Sequence, residues 1–144
     1  MITFQKGNKM NIQEFIQRKN YSPQVKRGGI EYLIERWSSV CDRLPYTNRY
    51  SFDEYLGDVM TRKVLSEVVS ACEVPEELIA RIEGLDKIFR NKTKEMSECL
   101  YDNDTVEKYD WNSVDQWFYF RVPEERVVDW FPESVDLPGD NPRA

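Results

Sequence analysis

The chain has no histidine, only three cysteines and six glycines in 144 residues. It also has no apolar run of the about 18 residues that a membrane-spanning helix needs. Each scarcity removes a class of function. Without histidine there is no Ser-His-Asp or Cys-His nucleophile site and no histidine-containing zinc site, and a general base would have to come from Asp or Glu. Cys41, Cys72 and Cys99 are odd in number and contain no C-x-x-C pair, which argues against a disulfide framework and a thiolate metal cluster. We read them as buried structural thiols and expect neither metal nor cofactor. Lys6 and Lys9 are followed by no apolar stretch, so no secretory signal is indicated and a cytoplasmic location is expected. Lys6-Gly7 can be encoded by a purine-rich run spaced like a ribosome-binding site ahead of Met10. Residues 1–9 are therefore read as an upstream extension, with a genuine flexible leader as the alternative.

What is present suffices for one core. Hydrophobic residues make up 40% and aromatics 13%, which excludes low-hydrophobicity disorder for most of the chain and predicts a single domain over residues 1–131. Pro132, Pro138, Gly139 and Pro142 predict an irregular tail over 132–144.

Apolar residues at Ile30, Leu33, Ile34, Trp37, Val40, Cys41 and Leu44 follow the 3 and 4 steps of one helical face, ended by Pro45. The upstream boundary stays open: Ser22-Pro23 has the form of an N-cap with proline at N1, whereas Gly28-Gly29 would weaken a helix already running. Ser51-Phe-Asp-Glu54 is a capping box, with Tyr50 and Tyr55 placed as a hydrophobic staple. The helical period then runs from Phe52 to Cys72. Pro75 opens a third helix whose buried face is Leu78, Ile79, Ile82, Leu85, Ile88 and Phe89, running to about residue 93. Trp117-Phe-Tyr-Phe-Arg-Val122 alternates in the manner of an extended segment. Period two puts Phe118, Phe120 and Val122 on an inner face and Trp117, Tyr119 and Arg121 on an outer one. The expected fold is all-α: a three-helix bundle, with a fourth helix around Met96–Tyr101 left open, and the C-terminal aromatic segment packed across it.

The net charge of −6 is unevenly spread. Residues 1–50 carry nine bases and four acids, residues 51–94 seven and nine, and residues 95–144 four and thirteen. The last stretch also holds nine of the nineteen aromatics, so acid and rings coincide there. Such a surface steers a basic partner electrostatically and can anchor it by burying rings. The competing reading is that the rings all belong to the core.

Tyr50-Ser-Phe-Asp-Glu-Tyr-Leu-Gly-Asp58, followed by Arg62 and Val64-Leu65, and the later Trp117-Phe-Tyr-Phe-Arg-Val-Pro123, resemble small uncharacterised bacterial helical proteins. Some of these are similar to immunity proteins of polymorphic or contact-dependent toxin systems. The resemblance covers roughly half the chain and rests on structural residues. It implies a partner class, a toxin domain, and transfers no functional residue.

Other chemistry finds little support. Asp102-Asn-Asp104 opens like a calcium loop, but its sixth position is Glu107 and its twelfth is Ser113. Neither common glycine-rich phosphate cradle occurs. Glu54, Asp58 and Arg62 share a helical strip, which reads as a capping carboxylate followed by an i,i+4 ion pair between Asp58 and Arg62. Lys19, Lys26, Arg27, Arg36 and Arg43 allow a basic patch, yet no aromatics interleave with them, so nucleic-acid binding is a minor hypothesis. The leading expectation is a non-enzymatic, immunity-type inhibitor of a basic protein partner such as a nuclease toxin. Its expected contact residues are Asp110, Trp111, Asp115, Trp117, Tyr119, Glu124 and Glu125. The alternatives are a small enzyme using carboxylates around Asp53 and Asp58, and a structural or homodimeric domain.

Overall fold

The structure, a computed structural model, describes residues 9–44 and 50–131. The expected irregular tail over 132–144, and the expected leader except for Lys9, lie outside the described residues. The fold is predominantly helical with a small two-stranded sheet. A short α1 (Ile12–Arg18) precedes three long helices, α2 (Pro23–Arg43), α3 (Phe52–Ala71) and α4 (Glu76–Lys92). After them come β1 (Thr93–Glu95), α5 (Asn103–Tyr109), a 3₁₀ turn over Trp117–Phe120, β2 (Arg121–Pro123), a second 3₁₀ turn over Glu124–Arg126, and α6 (Val127–Trp130). No helix among the described residues is long and apolar enough to cross a membrane.

Helix α2 packs against both α3 and α4. Its apolar stripe, Ile30, Leu33, Ile34, Trp37, Val40 and Cys41, is buried as the periodicity predicts. Trp37 lies against Phe89 of α4 with ring centroids 4.8 Å apart. The open boundary resolves in favour of Ser22: its hydroxyl accepts the Val25 N–H and the helix begins at Pro23. The two glycines mark a kink inside it. Gly29 has φ 69° and ψ −157°, a conformation open essentially to glycine alone. At Gly28 a Cβ would come within 2.4 Å of the Tyr32 Cβ, so this position is glycine because Tyr32 needs the space.

The start of α3 matches its sequence signature. Ser51 Oγ accepts the Glu54 N–H at 3.1 Å while Glu54 Oε1 accepts the Ser51 N–H at 2.9 Å. The staple rings of Tyr50 and Tyr55 meet edge to face at 6.0 Å. Helix α4 buries Ile82 and Phe89, but Ile88, expected on that face, is 42% exposed.

The C-terminal third departs most from expectation. The fourth helical segment forms at Asn103–Tyr109, not around Met96–Tyr101, because Asp102 caps it by accepting the Thr105 N–H at 2.9 Å. Extended backbone is confined to Arg121–Pro123, which pairs antiparallel with β1 and sets Lys94 opposite Val122. Ahead of it Trp117–Phe120 coils as a 3₁₀ turn, and Phe118, Tyr119 and Phe120 are all buried. Three residues per turn send successive rings in different directions, and each ring meets its own neighbours. The two-faced reading, with Tyr119 and Arg121 outward, is therefore corrected. Tyr119 has no exposed surface, and Arg121 turns onto the α4–β1 junction, donating to Thr93 Oγ1 and to the carbonyls of Arg90 and Thr93.

Candidate interaction surface

Helix α5 ends in a built turn. Asp110 adopts the left-handed conformation, φ 56° and ψ 45°, which Asp tolerates better than most residues. The Trp111 N–H then closes back to the Val106 carbonyl at 3.0 Å, a Schellman-type stop. The reversal returns Trp111 onto the fold, where its ring lies 4.7 Å from Tyr119 and 5.4 Å from Tyr101. Tyr109 stacks on the Trp111 ring at 5.3 Å and is itself 56% exposed.

The next residues are held by Asn112. Its Oδ1 accepts the N–H groups of Val114 and Asp115, its Nδ2 donates to Asp115 Oδ2, and its own N–H is accepted by Gln116 Oε1. Val114 projects from this turn, 79% exposed. Asp102, Asp104 and Glu107 of α5 and its cap, and Asp110 and Asp115 of the turn, are all exposed, with Lys108 the one base between Glu95 and Arg121. Thr105 hydrogen bonds, from side chain and backbone, hold the Asp102 carboxyl below its ordinary value. Burial pushes the Tyr101 and Tyr119 phenols up, so both stay neutral donors under the rings.

The seven residues singled out in the sequence separate into three environments. Asp110, Trp111 and Asp115 come together on the α5 turn, and Trp111 and Asp115 both border the Ser66–Ser70 side of α3. Glu124 and Glu125 are exposed, but on the turn into α6, whose Trp130 packs on Tyr50, Phe52 and Tyr55 at the opposite end of α3. The aromatic anchors change most. Tyr119 is a core residue, because its ring is enclosed by Trp111, Tyr101 and Phe118 and its hydroxyl faces Met60 Sδ at 3.8 Å. Trp117 is half-buried, with the Arg90 guanidinium 3.8 Å over its ring and Phe89 against its edge. Tyr109 and Val114 went unmarked in the sequence. The signal that could have found them is the helix stop at Asp110, which turns Trp111 onto the core while Tyr109 before it and Val114 after it stay exposed.

The expected Asp58–Arg62 ion pair is replaced. Arg62 reaches across to Asp86 of α4, while Asp58 accepts the Tyr50 hydroxyl at 2.6 Å. Asp53 is exposed on the first turn of α3, and Glu54 is occupied by the capping box. Among the described residues no three His, Cys, Asp or Glu side chains gather as a metal cage. Cys41 and Cys72 are buried and Cys99 is half-buried; all three are free thiols. No family model matches the chain, and neither a curated protein nor a solved structure matches it significantly.

Proposed function

We propose that this chain is a non-enzymatic binding protein, an immunity-type inhibitor that acts in the cytoplasm on a basic protein partner such as a nuclease toxin. The three long helices serve as a bundle scaffold. The contact surface is the α5 turn, with Asp110 and Asp115 pairing to Lys or Arg of the partner and Tyr109, Trp111 and Val114 supplying apolar contact. The observation that carries the reading is the joint exposure, on one braced turn, of Tyr109 at 56%, Val114 at 79% and the carboxylates beside them. A turn already fixed by Asn112 and by the Asp110 stop loses little conformational freedom on binding, which favours affinity. Trp117 and Tyr119 act beneath this surface as its support, and Glu124 and Glu125 form a separate acidic edge that assists steering only.

The test is co-expression with the product of the adjacent gene. Growth rescued by this chain, and lost on Asp110→Asn with Asp115→Asn, which remove both charges while Asn keeps the left-handed stop and an acceptor for Asn112, is the expected result at a melting temperature close to the parent's. A harmless neighbour, or toxicity undiminished with the chain present and folded, overturns the assignment.

A further inference from the structure

We propose that the groove between α2 and α3 binds a small organic anion, one carboxylate on an apolar or aromatic body. The groove has a volume of about 540 Å³, within the range of small-molecule sites. None of Tyr109, Asp110, Trp111, Val114 or Asp115 lines it, although Lys63 borders both this groove and the Trp111 pocket, so the inference does not rest on the reading above. Its apolar lining comes from Val25 and Leu33 of α2 and from Met60 and Val64 of α3. In a chain with 26 acidic and 20 basic side chains, no carboxylate lines it, whereas Arg36 and Lys63 both do. Lys63 is paired with Glu67 at 3.0 Å. Arg36 is therefore the cation left open.

The guanidinium is positioned by the fold. Arg36 Nε donates to the buried Thr61 Oγ1 at 3.2 Å, and its two terminal nitrogens have no hydrogen-bond or ion-pair partner among the described residues. That free planar edge matches a carboxylate bidentately. Two features shape the walls. Val25 and Tyr32, seven positions apart on α2, both line the groove, and Gly57 leaves a notch in α3 where an added Cβ would meet nothing within 4 Å. With one open cation, the apolar Val25, Leu33, Met60 and Val64, and neutral polar groups such as Asn20, Ser22 and Gln24 around it, the groove suits a monoanion with a hydrophobic body better than a small, strongly hydrated dianion.

The experiment titrates 2-naphthoate into the ¹⁵N-labelled full chain by NMR, with 2-naphthamide and inorganic phosphate as comparison probes. We expect saturable shifts at Thr61, Val64 and the Arg36 Nε–H, with 2-naphthamide weaker by about tenfold or more, as loss of a charge-assisted pair implies. Arg36→Gln should weaken 2-naphthoate by a similar factor, and Arg36→Lys by less. Gly57→Leu, which fills the notch without a steric conflict at its Cβ, should abolish binding while the spectrum elsewhere stays folded. Equal binding of the amide, phosphate binding tighter than naphthoate, absence of saturable shifts, or shifts that persist in Gly57→Leu would each overturn the proposal.

Discussion

Arg62 of α3 grips Asp86 of α4 through two parallel hydrogen bonds, Nε to Oδ1 and Nη2 to Oδ2, both 2.9 Å long. The pair is 12% and 13% exposed, and Asp86 Oδ1 also accepts the Trp37 indole N–H at 3.0 Å. One carboxylate thus ties all three long helices together. On the other side, the guanidinium lies 5.7 Å from the Trp117 ring centroid and 5.6 Å from that of Phe118.

Removing the carboxylate strands both donors in the interior. Asp86→Ala should therefore destabilise the protein by about 3–5 kcal/mol. Glu14→Ala breaks an ion pair whose members are 69% and 59% exposed, and should cost less than about 1 kcal/mol. Urea unfolding of the two variants beside the parent decides the matter; similar midpoints for both would show that the α3–α4 pair is not shielded from water.

Glycines separate by backbone. Gly29→Ala forces a Cβ into φ 69°, ψ −157° and should cost about 1–3 kcal/mol. Gly57→Ala and Gly84→Ala place a methyl in open space within regular helix and should stabilise by up to about 1 kcal/mol. Thermal melts of the three single variants check the order, and a neutral Gly29→Ala would refute the kink.

Alkaline pH should unfold the protein early. Burial, with Asp86 adding to it, pushes the Cys41 thiol from 9.0 up to about 12, against the opposing pull of Lys92 and Arg62. The unfolded chain releases this proton above about pH 9 and the folded chain keeps it, so the folded state binds more protons there and stability falls as pH rises. The contribution is complete below about pH 9 and is lost progressively towards about pH 12. Burial moves Tyr21, Tyr55 and Tyr119 the same way, which steepens the loss above their ordinary value of 10.0. The urea midpoint should stay level from about pH 7 to 8.5 and then drop; a level midpoint through pH 10.5 contradicts the assignment.

Signals confined to a few neighbouring residues were legible in the sequence. The Ser51–Glu54 box, the Tyr50–Tyr55 staple and the α2 stripe all depend on spacing within one or two turns, and each appears in the structure as read. What escaped depends on distant partners. Arg62 prefers Asp86, 24 positions away, to the Asp58 one turn before it, because the distant carboxylate is shielded from water and already holds Trp37. Trp117–Val122 satisfies period two on paper, but the Tyr119 N–H closes onto the Gln116 carbonyl at 2.9 Å and coils the backbone, while Met96 and Leu100 donate to the Phe120 and Tyr119 carbonyls at 2.7 Å. At the candidate surface, exposed acid was readable from composition. Which rings stay outside was not, since Tyr119 is enclosed by Tyr101, Phe118, Met60 and the returning Trp111, partners that local spacing does not reveal, whereas Tyr109 has one face of Trp111.

That difference gives the last prediction. Tyr119 is fully enclosed, so Tyr119→Ala opens a cavity under Trp111 and should cost about 3–5 kcal/mol, in the range of large aromatic truncations. Tyr109 touches the fold mainly through one face of Trp111, and Tyr109→Ala should shift stability by no more than about 1 kcal/mol. Trp117→Ala belongs between them, since it removes the Arg90 stacking partner but leaves a half-exposed gap. Binding should invert the order: Tyr109→Ala weakens the partner complex in a stable protein, whereas Tyr119→Ala weakens it only in proportion to the unfolded fraction. Measuring both quantities on each variant separates the contact surface from its support. A stable Tyr119→Ala that has lost its partner would return that ring to the interface.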